Sequence, residues 1–168
     1  MQFDQLPPTA RVWIYQAPRP LTPAEAADTA PLLAHFVRQW ASHGRPLRAA
    51  AEWRHGWFLL LGVDETAAPA SGCSIDASVQ LVRELGQRLG LDLLDKSRLA
   101  FRRDDIITAR PLAQLRAAVA AGAVQADDFY FDNTLTTKGQ LDAQWPAPAA
   151  TTWLRRYFAA APVAALGA

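Results

Sequence analysis

Seven consecutive apolar or small residues, Trp57-Phe58-Leu59-Leu60-Leu61-Gly62-Val63, constrain this chain more than any other stretch. The run is far too short to cross a bilayer, which takes about 18 apolar residues in a helix. It reads instead as a well-buried strand. Arg54-His55-Gly56 precedes it as a turn, and Arg48 to Trp53 reads as the partner strand of a hairpin.

The flanks of the hairpin follow a simple alternation. Arg11 to Gln16 is β-branched and aromatic, and Pro18 and Pro20 end it as a strand. Thr22-Pro23-Ala24-Glu25 opens a helix with a cap, a proline at its first position and a glutamate able to close a capping box. Leu32, Leu33, Phe36, Val37 and Trp40 follow at helical spacing as the expected core face, and Pro31 predicts a kink or restart near Thr29. Gly44 and Pro46 are the expected stop. After the hairpin a second helix is expected from the Ser71–Ser74 loop, with Ile75, Val79, Val82, Leu85 and Leu89 as its apolar stripe and Gly90 as its end. Leu99-Ala100-Phe101 begins a fourth strand, which Asp104-Asp105 turns into Ile106-Ile107-Thr108.

The order β-α-β-β-α-β predicts an α+β fold with a ferredoxin-like core over about residues 1–100, sheet order 4-1-3-2. Residues 101–160 are expected to form a small α/β appendage packed on that core. It would comprise a short helix from Pro111, a strand at Phe129-Tyr130-Phe131, a helical stretch within 134–145 and a last helix at Trp153–Phe158. Residues 161–168 are expected to be a frayed tail.

Charge and cysteine content narrow the setting. Seventeen basic and sixteen acidic residues give a formal net charge of +1, so there is no long-range field for nucleic acid or anionic lipid. One cysteine cannot form an internal disulfide, which favours a reducing compartment. Met1 to Pro8 has neither a basic nor an apolar signal region, and a cytoplasmic protein is the expectation.

In the expected topology one pole gathers residues that are scattered in sequence: Trp40, Ser42, His43, Asp64 and the stretch Ser71 to Ser78. Cys73 would sit at the mouth of the second helix, where unpaired amides and the helix dipole favour a thiolate or a small anion. His43 could then act as base, with Asp76 or Asp64 orienting it, as a nucleophilic thiol requires. Ser71, Gly72 and Ser74 could cradle an anion by their backbone, with Asp64 and Trp40 bordering it. The plainer reading makes Cys73 a small buried hydrophobe, Ser71 or Ser74 an N-cap, Gly72 a turn residue and His43 a helix-end residue. One Cys and three His at no recognised ligand spacing do not make a metal site, and no cofactor motif is present.

Two resemblances attach to particular residues. Phe3-Asp4-Gln5-Leu6-Pro7, Ser71-Gly72-Cys73-Ser74-Ile75-Asp76, and Phe131-Asp132-Asn133 with Thr137-Lys138 resemble a family of short bacterial proteins often labelled "ABC transporter ATPase". That label implies a phosphate-binding Walker loop, and the sequence contains no Gly-x-x-x-x-Gly-Lys-Ser/Thr. The second covers about residues 99–133. Leu112-Ala113-Gln114-Leu115, Val119, Gly122, Val124 and Asp127-Asp128-Phe129-Tyr130-Phe131 are similar to half of a GYF-like domain, which implies peptide binding through aromatic grooves. The Gly-Tyr-Phe core itself is absent.

Two functions follow as expectations. One is a non-enzymatic binding protein whose partner is an unknown protein or a small anionic ligand. The other is a thiol-dependent enzyme or redox-responsive protein using Cys73. Geometry separates them: the first expects Cys73 buried and far from His43, the second expects it accessible in a pocket with a base in hydrogen-bond reach.

Overall fold

A computed structural model describes residues 1–159. The chain divides into two compact units, Met1–Lys96 with Asn133–Trp145, and Ser97–Asp132 with the segment from Pro146 onward. It is a mixed helix-and-sheet protein with several antiparallel sheets.

The first unit is built on three strands, β1 (Arg11–Gln16), β4 (Arg48–Arg54) and β5 (Phe58–Asp64), in the order β1-β5-β4. Both pairings are antiparallel, with Trp13 opposite Leu61 and Ala51 opposite Leu61 on the other side. The central strand β5 is buried along its whole length, which is why it carries no polar alternation before Asp64. On one face, α1 (Pro23–Gln39) and α2 (Gly72–Leu89) cover Leu59, Leu61 and Val63 through Leu33, Leu81, Val82 and Leu85. On the other lies the N-terminal turn: a Cβ on Gly62 would collide with Leu6 and crowd Phe3. Trp145 meets Phe58 edge-on there, ring centroids 4.8 Å apart.

The expected fourth strand is placed differently. Arg98–Arg103 (β6) pairs with Ile106–Pro111 (β7) across a two-residue turn, in a separate four-stranded sheet of order β7-β6-β8-β9, where β8 is Phe129–Tyr130 and β9 is Ala147–Pro148. In the first unit, β1 instead meets the Asn133–Thr137 segment. The Val12 amide donates to the Thr136 carbonyl, Arg11 bridges Thr137, and Asn133 donates to the Gln16 side chain. That segment leads into α4 (Lys138–Gln144). The second unit packs its sheet against α3 (Leu115–Ala120) and α5 (Arg155–Phe158) around Phe101, Leu115, Val124, Tyr130 and Leu154. The expected tail at 161–168 lies outside the described residues.

Local signals explain the helix ends. Thr22 and Glu25 form a reciprocal capping box, as do Ser71 and Ser74. Gly90 closes α2 in the left-handed region at φ +64°, with the Leu91 amide returning to the Gly86 carbonyl. The kink expected at Pro31 does not interrupt α1, which runs unbroken from Pro23 to Gln39. Pro31 is exposed, so the backbone bond it cannot make falls on the solvent side.

Candidate functional site

Helix α1 ends at Gln39, earlier than the Gly44 stop expected from sequence, because a miniature hairpin follows. Ala41–Ser42 (β2) pairs with Arg45–Pro46 (β3), and His43 and Gly44 form the turn at φ +48° and +76°. His43 is therefore a hairpin-turn residue in the left-handed region, and not a helix-end residue.

Two contacts fix α1 against α2 in antiparallel orientation. The Trp40 indole donates to the Ser74 carbonyl at 2.8 Å, and Arg88 grips Asp28 through two bonds of 2.7 and 2.8 Å. Between these pins the helices leave a groove of about 670 Å³. Leu32, His35, Phe36 and Gln39 line it from α1; Cys73, Ala77, Gln80, Leu81 and Glu84 line it from α2; Trp40, Ala41 and His43 close one end. The Phe36 and Trp40 rings pack at 4.9 Å, so one wall is aromatic and firm.

Of the residues expected at this pole, Trp40, His43, Ser71, Cys73, Ser74 and Ala77 line the groove. Cys73 is exposed, which overturns its reading as a buried hydrophobe. Among the described residues its thiol makes no hydrogen bond, to His43 or to any other base. Ser74 is buried and capped: its hydroxyl accepts the Ser71 amide and donates to the Ser71 carbonyl, while the Ser71 hydroxyl accepts the Ser74 amide. Those interactions commit two of the amides that an anion would need. The Ala70 amide is likewise taken, by the Glu65 carboxylate at 2.9 Å. A Cβ on Gly72 would meet nothing within 4 Å, so no close backbone approach requires glycine there.

Neither carboxylate expected beside Cys73 borders the groove. Asp76 is exposed on α2 outside the lining. Asp64 is buried and fully engaged: the Thr66 hydroxyl and amide both donate to it, at 2.6 and 3.1 Å, and Arg48 lies 3.3 Å away. Those donors hold its carboxyl below the usual aspartate range, the Thr66 hydroxyl contributing most. Asp64 closes a turn and does not orient a base.

Sequence periodicity missed the outer wall. Helical spacing puts Leu32 with Leu33 on the core face, but Leu32 is 37% exposed and only Leu33 is buried. The stripe on α2 is also rotated from the expected one: Ser74, Ser78, Leu81, Val82 and Leu85 are buried, while Ile75, Val79 and Leu89 are only half-buried. Two serines tolerate the core because they are bonded. Ser78 donates to the Ile75 carbonyl at 2.6 Å and lies near the Tyr15 hydroxyl, whose pKa is raised by burial.

In the second unit, a smaller hollow of about 220 Å³ borders the Arg103–Asp128 pair, which is bidentate at 2.6 and 2.7 Å. Its one aromatic lining residue is Phe101, itself buried. Among the described residues no three His, Cys, Asp or Glu side chains gather as a metal-holding group, and no helix is long and apolar enough to cross a membrane. No family model, curated protein or solved structure matches the chain.

Proposed function

We propose that this chain is a non-enzymatic binding protein and that the groove between α1 and α2 is its binding surface. The observation that carries the reading is the groove itself: about 670 Å³, walled by Leu32, Phe36, Trp40 and Leu81, rimmed by His35, Gln39, Gln80 and Glu84. Apolar walls with a few polar groups at the margin describe a ligand site. The occupant is apolar on the side that enters. A small anion is the weaker partner, since no Lys or Arg lines the groove and the nearby serine amides are committed.

Ala77 provides the test. It is exposed in the α2 wall of the groove, so Ala77→Trp fills the groove without entering the core. A neutral apolar fluorophore such as Nile red is expected to bind the native protein, and Ala77→Trp to reduce that binding at least tenfold at unchanged melting temperature. Equal binding by both proteins sinks the reading.

A second reading keeps Cys73 as a reactive thiol. It is favoured by one observation, that Cys73 is exposed in the same groove as His43. It lacks the base within hydrogen-bond reach that thiol catalysis uses. The exposed unpaired thiol supports a reducing, cytoplasmic setting. We also read the first unit as a ferredoxin-like sandwich in which residues 133–137 lie where a fourth strand would run, a relationship supported by their bonds to β1.

A further inference from the structure

We infer that the occupant of this groove is an amphipathic helix of a partner protein that brings a basic side chain to Glu84; the inference rests on the groove being a binding surface. Shape is the first argument. The two walls are matched helical stripes, Leu32 with Phe36 and Gln39 facing Cys73, Ala77, Leu81 and Glu84. Side chains spaced by three and four residues form straight ridges, and the trough between two such ridges is complementary to a third helical cylinder.

Length agrees. Eleven residues separate Cys73 from Glu84, which at 1.5 Å per residue is about 16 Å, or three turns. A helix of three turns presents anchors at i, i+4 and i+7, the pattern by which helices enter grooves. Small residues, Ala41, Cys73 and Ala77, leave room for those anchors. The Trp40–Ser74 and Asp28–Arg88 pins hold the trough at fixed width.

Charge selects among helices. Among the described residues Glu84 is the only carboxylate lining the groove, and it has no ion pair. Arg88, one turn further along, is committed to Asp28. No Lys or Arg in the lining would meet an acidic partner or the head of a fatty acid. A helix with Lys or Arg beside its apolar stripe pairs with Glu84, and an acidic one gains no pair from that carboxylate.

The experiment uses the full chain and three fluorescent, end-capped synthetic peptides of about 14 residues, built with leucines at i, i+4 and i+7. One carries lysines beside the stripe, its twin carries glutamates there, and a third is the lysine peptide with a central proline. Fluorescence anisotropy is expected to show the lysine helix binding best, with binding lost in Ala77→Trp. Glu84→Gln should weaken it about 2- to 5-fold, the range for an exposed ion pair. Glu84→Lys should invert the preference between the lysine and glutamate twins. Equal binding of those twins overturns the charge assignment, and equal binding of the proline peptide overturns the helical one. Self-association of the chain that Ala77→Trp abolishes would make a second copy the occupant and overturn the inference. If Nile red binds in the groove but no peptide does, the helix inference falls and the binding groove stands. If neither binds, both fall.

Discussion

The indole nitrogen of Trp40 donates to the main-chain carbonyl of Ser74, 34 residues away, at 2.8 Å. This bond joins the end of α1 to the first turn of α2 and sets the closed end of the groove. Trp40 is buried and packs in tilted geometry against Phe36 at 4.9 Å and Trp13 at 5.9 Å. Trp40→Phe keeps an aromatic ring but removes the donor and part of the volume. The lost bond costs about 1 kcal/mol and the cavity a comparable amount. A loss of about 2 kcal/mol in urea unfolding is expected, with unchanged m-value, together with weaker Nile red binding. Loss of stability with full binding would show that the pin does not shape the groove.

Gly86 makes a second, more local demand. A Cβ at this position would lie 2.7 Å from the Leu91 carbonyl oxygen, a main-chain atom that cannot swing away. The same turn is fixed by the Leu91 amide bonding the Gly86 carbonyl at 2.9 Å. In an open helix Gly→Ala is stabilising by up to about 1 kcal/mol. Here overpacking reverses the sign, and Gly86→Ala is expected to destabilise by about 1–3 kcal/mol. Gly72→Ala, in open space in the first turn of the same helix, is the control and should not destabilise. Equal effects of the two substitutions would contradict the close approach.

What could be read from sequence was what neighbours in sequence decide. The strand at Arg11–Gln16, both main helices, their caps and the Gly90 stop depend on local propensity and capping chemistry. The Asp104-Asp105 turn from Leu99-Ala100-Phe101 into Ile106-Ile107-Thr108 was legible, but the sheet this hairpin joins was not, because alternation fits either sheet equally well. The pairing went to the nearer segment, Ile106–Pro111, through the Asp104-Asp105 turn, where loop closure is short. The convergence of Trp40, His43 and Cys73 followed from helix order and survived the change of fourth strand. The groove's outer wall did not follow. Leu32 and Leu33 are equally apolar, and only the tilt of α1 on the sheet decides which one is covered. Ser74 and Ser78 were not legible as core residues, since serine reads as polar until its hydroxyl is seen to bond a main-chain carbonyl three residues back, which lets it face the core.

The N-terminal cap of α1 gives a pH signature. Arg19 grips the Glu25 carboxylate at 2.7 and 2.9 Å, the Thr22 amide adds a third bond, and together they hold its pKa at about 2, with Arg19 contributing most. Unfolded, the same group titrates near 4.5. Below 4.5 the unfolded chain takes up the proton first, so the stabilisation from Glu25 is complete above that value and is lost as pH falls toward about 2. Glu25→Gln is therefore expected to be less stable than the parent at pH 7, with the gap closing between these limits. Urea midpoints measured across that range check it. A gap that stays constant would show that the carboxylate's charge plays no part.

His43 occupies the left-handed region at φ +48°, a conformation that costs a non-glycine residue energy and that asparagine tolerates better. His43→Asn should match or exceed parental stability, and the β-branched His43→Val should lose about 1–2 kcal/mol. Because His43 lines the groove, Nile red affinity in the asparagine variant separates its role in the turn from its role at the groove rim. Unchanged stability in the valine variant would refute the strained turn.

Cys73 decides between the two readings of the groove. The thiol is exposed at its wall, so iodoacetamide should label it in the native state, without unfolding, at a rate of the same order as in the denatured chain. Labelling confined to the denatured chain would contradict that exposure. The thiol-enzyme reading demands more. His43 or the mouth of α2 would have to displace the native pH–rate profile to lower pH than the denatured one, because the thiolate is the reacting species. The binding reading demands a different result, dependence on the size of the adduct. A bulky pyrene maleimide should fill the groove and abolish Nile red binding, as Ala77→Trp does, while the smaller carbamidomethyl group leaves most of it intact. A displaced profile with binding indifferent to the adduct would transfer the function from the groove to the thiol. An undisplaced profile with binding lost only to the large adduct would leave Cys73 as part of the wall.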